Sequence, residues 1–441
     1  MTSKDQERTS IRESQESREG LARLPVVAAV AFLSFFCQAL LYYLLPLYFS
    51  SKGLPGGAWE TWSYYEIVAW LFAPPLAGVL GARFGERRTW AAGLAGYVSV
   101  GISISLVPSH SPWTNFLLPA IGLLWGTSSA MIWVGGISLV QKVRESQLGT
   151  SNAIMMTALG GGGIGGPLLG RLLLAWKTSS YASATSEFRT SLAAFVVLSL
   201  LGSSLMWGFG EYRRRHSLPG TKTQHSNSIR QSLALFRFRQ YVLLVFSLSL
   251  LGGPVFQATN VYRPYRVRDP QIGLIVGAQD HGWAALEITG YVMQLVGGLL
   301  IGLLARKKGS GWLAVFVLGS FAACGLGIGL APNAPVLFAF SAVFELIRQF
   351  MRWIQTGYVS EYVAEEQRSP AIGFSVTVSG IGSWAFNLLA RTIQSPDSPN
   401  FSSGLPFELA AAMGFLGTAL LVIWQLRASW KRRAGIRGLS I

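Results

Sequence analysis

The 441-residue chain is 51% hydrophobic and only 13% charged, with 36 Lys and Arg against 20 Asp and Glu, for a net charge of +16. That charge content is too low for an ordinary soluble chain. Because the basic residues sit between long apolar runs, the excess points to a membrane and not to nucleic acid. Two cysteines (Cys37 and Cys324), four scattered histidines and the lack of any Gly-Lys dipeptide exclude a disulfide framework, a cysteine-rich metal centre and a Walker phosphate loop. No cofactor, metal or catalytic constellation is expected, so the chain does not read as an enzyme.

A membrane helix needs about 20 mostly apolar residues. Such spans are expected near 26–49, 62–81, 90–107, 116–140, 150–174, 190–209, 240–261, 284–305, 312–331, 335–356, 371–391 and 407–426. Residues 1–25 are polar and charged, which reads as a tail and not as a cleavable signal. Residues 210–239 read as a basic linker with six spans on either side, and 429–441 as a second tail. With both termini in the cytoplasm of a cell membrane, the inner segments hold 26 of the 36 Lys and Arg and the outer loops hold 8. This is the orientation that basic residues favour. Arg263, Arg266 and Arg268 run against it, and the plainer reading is an outer loop that tolerates charge. The alternative is a basic mouth that concentrates anions.

The two halves repeat. Gln38, Tyr43 and Pro46 recur as Gln257, Tyr262 and Pro264. Met131, Trp133, Val143, Glu145, Gln147, Thr157, Gly160 and Gly162 recur as Met351, Trp353, Val363, Glu365, Gln367, Thr377, Gly380 and Gly382. Gly78, Leu80, Arg83 and Gly85 are echoed by Gly302, Leu304, Lys307 and Gly309. Two six-helix halves, 26–209 and 240–428, joined by a cytoplasmic linker are the architecture of a secondary transporter. Its solute sits near the midplane between halves that rock.

At the loop after span two, the chain resembles the major facilitator superfamily through Gly78, Arg83, Gly85, Arg87 and Arg88. Two positions depart from the family pattern. Ala82 stands for its Asp and Glu86 for the first Arg of its closing pair. Glycines there allow close approach and a tight turn. Span five carries Gly162, Gly166, Pro167 and Gly170, similar to the motif of the antiporter branches, although a Gly-rich packing face explains the same residues. The acidic residue in span one and the Arg in span four common in drug antiporters are both missing. The resemblance implies an all-α membrane protein of twelve helices in two pseudo-symmetric halves.

Ionisable residues inside a membrane are costly and usually have a task. In span ten, Glu345, Arg348 and Arg352 fall on one helix face, where Glu345 can pair with Arg348. Three readings stand: a structural pair, an anion site at Arg348 and Arg352, and proton exchange at Glu345. Glu287 is a second proton candidate. Glu66 is a third, although snorkelling toward the interface is its plainer reading. Gln38, Tyr43, Gln257, Asn260, Tyr262, Trp125, Thr127 and Trp133 are candidate lining groups, with helix–helix hydrogen bonding as the alternative for the repeated pairs. Trp59, Trp62, Trp90, Trp113 and Trp312 read as an interfacial belt.

These readings give a monomeric transporter in the lipid bilayer that moves a small solute in exchange with protons by alternating access, and the span-ten arginines point to an anionic or zwitterionic one. Export is slightly preferred. An organic-anion symporter or facilitator is the alternative. A non-transporting sensor on the same fold is remote, because nothing in tails or linker would relay a signal.

Overall fold

The structure, a computed structural model, describes residues 3–54, 57–108, 113–143, 148–178, 184–216, 239–276, 279–304, 311–355, 368–393 and 402–433. Its helices in the first half are α1 (Ser3–Ser51), α2 (Gly57–Phe84), α3 (Glu86–Ser105), α4 (Thr114–Val143), α5 (Leu148–Thr178) and α6 (Ala184–His216). The second half begins with α7, a composite span described below. It continues with α8 (Trp283–Leu304), α9 (Gly311–Leu330), α10 (Ala334–Trp353), α11 (Arg368–Ile393) and α12 (Leu405–Arg433). Each expected span falls on a long helix, and ten of the helices are long and apolar enough to cross a membrane. The helix of α1 runs back to Ser3, so the polar segment expected as a tail is largely helical. Its Glu, Gln, Lys and Arg are good helix formers, which accounts for the difference.

α7 is built from α-helical pieces Arg239–Val245, Gly253–Gln257 and Arg263–Arg266, separated by π-helical turns at Phe246–Leu250 and Ala258–Tyr262. The cause is local. Pro254 and Pro264 lack an N–H, and each ring crowds the carbonyl four residues before it, at Leu250 and Asn260. Each of those carbonyls lies inside a π turn, the wider turn that relieves the crowding. The helix therefore continues to Arg266, past the expected end at 261. Between α7 and α8, two-residue strands β1 (Ile275–Val276) and β2 (Gln279–Asp280) pair antiparallel, with Ile275 opposite Asp280.

The repeat is visible in the packing. A Cβ on Gly160 would strike the Leu295 backbone of α8, in the other half, and one on its repeat partner Gly380 would meet Trp70 of α2, again in the other half. A Cβ on Gly162 would strike Phe32 and Phe36 of α1, and one on its partner Gly382 would strike Leu250 of α7. Helices α5 and α11 thus use one small residue to cross between halves and another to pack on the first helix of their own half. Close approach of this kind is how helices associate where lipid offers no hydrophobic drive. Glu145, Gln147, Val363, Glu365, Gln367, Lys307 and Gly309 lie outside the described residues.

Large aromatic side chains fill the first half. Trp62, Trp90 and Trp125 are fully buried, and Trp90 Nε1 donates to Ser34 Oγ at 3.0 Å. The expectation of an interfacial belt is corrected for Trp59, Trp62 and Trp90, which face inward between helices. Trp113 and Trp312 are exposed.

Candidate functional site

A cavity of about 210 Å³ lies between the halves. Its first-half wall carries Gln38 and Tyr42 from α1, Trp59, Glu66 and Trp70 from α2, and Trp133 from α4. The second-half wall carries Gln257, Asn260 and Arg263 from α7, Glu287, Tyr291 and Gln294 from α8, and Glu345, Arg348 and Arg352 from α10.

The π turn at Ala258–Tyr262 presents Asn260 and, just beyond it, Arg263 to this wall. Arg263 is buried, not a loop charge: Nη1 donates to Glu345 Oε1 at 3.0 Å and Nη2 to Glu287 Oε1. The loop reading of Arg263 is corrected by the extra helical turns that carry it inward. Arg348 Nη1 donates to both oxygens of Glu345, at 3.2 and 3.3 Å, and Nη2 to Asn260 Oδ1 at 2.9 Å. Gln294 Nε2 donates to Glu345 Oε2 at 2.5 Å, and Gln349 Nε2 donates to Gln294 Oε1 at 2.7 Å. One carboxylate, Glu345, therefore gathers donors from α7, α8 and α10. Gly290 lies where α8 passes the Glu345 side chain, and any Cβ there would sit 3.1 Å from Glu345 Cγ. Arg352 Nη1 lies 3.5 Å from Gln294 Oε1, and its guanidinium lies 5.1 Å from the centre of the Trp133 ring in the opposite half.

Across the cavity, Glu66 is buried within the bundle, which corrects the snorkelling reading. Tyr42 Oη and Trp125 Nε1 both donate to its Oε1, at 2.5 and 3.1 Å. Counting the charged lining groups, the second-half wall holds Arg263, Arg348 and Arg352 against Glu287 and Glu345, while the first-half wall holds Glu66. The site is thus polarised from one half to the other while its formal charges cancel.

Of the expected lining groups, Gln38, Gln257, Asn260 and Trp133 reach the cavity. Trp125 does not. It is fully buried behind Glu66, stacked on Tyr97 at 4.3 Å between ring centres. Thr127 is likewise outside the lining, and Tyr42, the neighbour of Tyr43, takes the place expected of Tyr43. Tyr43 and Tyr262 are buried elsewhere in equivalent roles: Tyr43 Oη donates to Asp280 Oδ2 at 2.9 Å, and Tyr262 Oη lies 3.5 Å from Glu60 Oε1. Each repeated tyrosine reaches a carboxylate of the opposite half. Near them, Trp59 Nε1 donates to Val261 O at 3.0 Å, Arg268 Nη2 to Pro46 O at 2.9 Å, and Trp384 Nε1 to Tyr64 Oη at 3.1 Å. These bonds join the halves at the end of the bundle that bears the α1–α2 and α7–α8 connections.

Gly78, Arg83, Gly85, Arg87 and Arg88 lie at the opposite end, away from the cavity. Gly85 has φ +95° and makes the tight turn into α3, as its residue type requires. The close approach expected at Gly78 is corrected: a Cβ there would find open space. Arg83 and Arg88 are exposed, and Arg87 is half-buried. In α5, Gly162, Gly166 and Gly170 pack on α1, with Pro167 inside the helix.

Sequence reading missed Tyr42, Trp70, Tyr291 and Gln294, placed Trp59 in the interfacial belt, and weighed Arg263 only as part of a basic outer mouth. The i, i+7, i+11 spacing of Trp59, Glu66 and Trp70 was a usable signal. The inward turn of Arg263 was not, because it depends on two π turns.

The chain matches the sequence profile of the Major Facilitator Superfamily over residues 29–386. No curated protein sequence matches it. Among solved structures it is similar to a bacterial homologue of the human drug peptide transporters PepT1 and PepT2 (TM-score 0.66, 12% identity, covering 94% of this chain and 99% of that one). It is also similar to the E. coli fucose:proton symporter FucP (TM-score 0.59, 15% identity, covering 91% of this chain and 99% of that one). A further FucP structure, in the outward conformation, aligns with a TM-score of 0.58 at 17% identity over 91% of this chain and 99% of that one. At such identities the likeness speaks to fold alone. With a profile spanning most of its helices, this multi-pass membrane protein belongs to the Major Facilitator Superfamily, whose members are transporters and not enzymes.

Proposed function

We propose that the chain is a proton-coupled secondary transporter that exports a small organic solute through this cavity, with Glu345 as the coupling carboxylate. The observation that carries the reading is the set of donors on Glu345. Arg263, Gln294 and Arg348 hold one charge from three helices. Adding a proton to that carboxylate removes the charge that both guanidiniums face, so protonation changes how α7, α8 and α10 are tied together. Glu287, bonded to Arg263, is the second member of the same relay.

Export is supported by the glycine–proline run of α5, which resembles that of antiporters. With the termini inside a cell membrane, the end joined by the Tyr43–Asp280 and Trp59–Val261 bonds faces outward. Those bonds hold the outer end shut, a state that exporters and importers both pass through, so direction rests on the α5 run. An anionic solute taken by symport or facilitated passage is the second reading, favoured by the excess of arginine on the second-half wall. Arg263 and Arg348 already face carboxylates, however, so an anion would first have to displace them.

The test starts from thermal stability against organic anions, lipophilic cations, sugars and nucleosides, since a ligand of the folded state raises its stability. Proton flux evoked by the stabilising solute is then followed with a pH-sensitive dye in liposomes. Wild type should move protons in the direction opposite to the solute, and Glu345→Gln should retain solute movement while losing the proton signal. Normal coupling in Glu345→Gln would overturn that assignment, and normal coupling in Glu287→Gln as well would remove the relay.

A further inference from the structure

We propose that Glu66 and the aromatic rings around it form a subsite for an organic ammonium group on the transported solute, an inference that rests on the cavity being the solute site. Among the described residues Glu66 faces no guanidinium or ammonium, whereas Glu287 and Glu345 are each bonded by arginine. Its donors are Tyr42 Oη and Trp125 Nε1, both neutral and both directed at Oε1. They orient the carboxylate without cancelling its charge. An acidic residue buried without a counter-ion is costly in a membrane and usually has a task, which facing a cation on a solute would supply.

The surroundings define what that visitor is. Trp59, Glu66 and Trp70 share one face of α2 and line the cavity together with Tyr42. The Tyr42 ring meets Trp59 edge-on at 6.2 Å and Trp125 at 5.7 Å, so the aromatic group is held as a packed unit. A metal cation would want six or more oxygens, whereas this wall offers one carboxylate among π faces. An alkylated or aryl ammonium is attracted by both the charge and the ring faces. An anion is repelled by Glu66, which places any acidic group of the same solute on the arginine wall opposite.

The experiment uses the purified full-length protein and benzyltrimethylammonium, whose charge does not titrate, with benzenesulfonate as its anionic counterpart. Binding is read by tryptophan fluorescence and by thermal stability. Benzyltrimethylammonium should stabilise wild type and quench its tryptophans. Its affinity should fall roughly tenfold in Glu66→Gln, the size of a lost charge contact, and by a smaller factor in Trp70→Leu. Glu66→Asp, which keeps the charge, should bind more tightly than Glu66→Gln, so a loss caused by misfolding is separated from a loss of charge. Equal affinity in wild type and Glu66→Gln overturns the proposal. So does the lack of stabilisation by any member of a series from primary to quaternary aryl ammonium ions. Because proton flux is read separately, a protein that binds the cation without coupling fails only the transport reading, and one that couples without binding it fails only this one.

Discussion

Arg391 Nε donates to Glu60 Oε1 at 2.7 Å, joining the end of α11 to the start of α2 across the two halves. The same guanidinium lies 5.0 Å from the Tyr64 ring centre, and Tyr262 Oη approaches the same carboxylate oxygen from α7. The contact sits at the end of the bundle where Tyr43 meets Asp280, so charge and repeat-related hydrogen bonds close one mouth together.

Opening that mouth should be easier when the ion pair is removed. Arg391 is about a third exposed, and pairs of that kind contribute about 0.2–1 kcal/mol, so Arg391→Gln or Glu60→Gln should shift opening by up to about fivefold. Labelling of a cysteine placed at Asn260, in a Cys37→Ala, Cys324→Ala background, should become faster from that side. Unchanged rates in both variants would remove the pair from the gate.

The crossing of α5 over α8 gives a sharper stability test. Gly160→Ala drives a methyl group into the Leu295 backbone and should cost about 1–3 kcal/mol, seen as a lower Tm. Gly161→Ala meets only the Phe32 ring at 3.5 Å, an ordinary contact, and should be close to neutral. Gly163→Ala collides with the Tyr291 ring, a side chain, so Tyr291→Ala should rescue it. Rescue of Gly160→Ala by the same change would contradict the packing described.

Arg352 and Trp133 should be energetically coupled across the cavity. A guanidinium 5.1 Å from an indole centre gives a cation–π term of about 0.5–2 kcal/mol depending on its desolvation. In a double-mutant cycle with Arg352→Gln and Trp133→Leu, thermal stabilities should be non-additive by that order. Additivity would mean that the two side chains do not hold the halves together.

Part of this molecule was legible without coordinates because its rules are one-dimensional. Length and apolarity place ten of the spans among the described residues, and matched residues at near-constant offset disclose the duplication. The spacing of Glu345, Arg348 and Arg352 along one helix puts them on a common face, and all three line the cavity. Gly85 was legible for a similar reason, since a turn at positive φ has a residue type attached to it.

What the sequence could not supply is the partner each side chain finds through space. Pairing of Glu345 with Arg348 follows from helix geometry. Its bond to Arg263 requires the two proline-induced π turns of α7 and the glycine approach of α8 to α10. Tyr42 and Tyr43 are adjacent in sequence, yet successive helix residues point about 100° apart, so Tyr42 serves the cavity and Tyr43 serves the gate. Glu66 is an acidic residue of an apolar helix in the sequence. Only the packing of α1 and α4 against α2 surrounds it with neutral donors and rings, while the arginines gather on the opposite wall. Spans and duplication were therefore determined by the chain itself. The pairing of buried charges was decided by tertiary structure, because a charge in a membrane takes its meaning from the groups that replace its water.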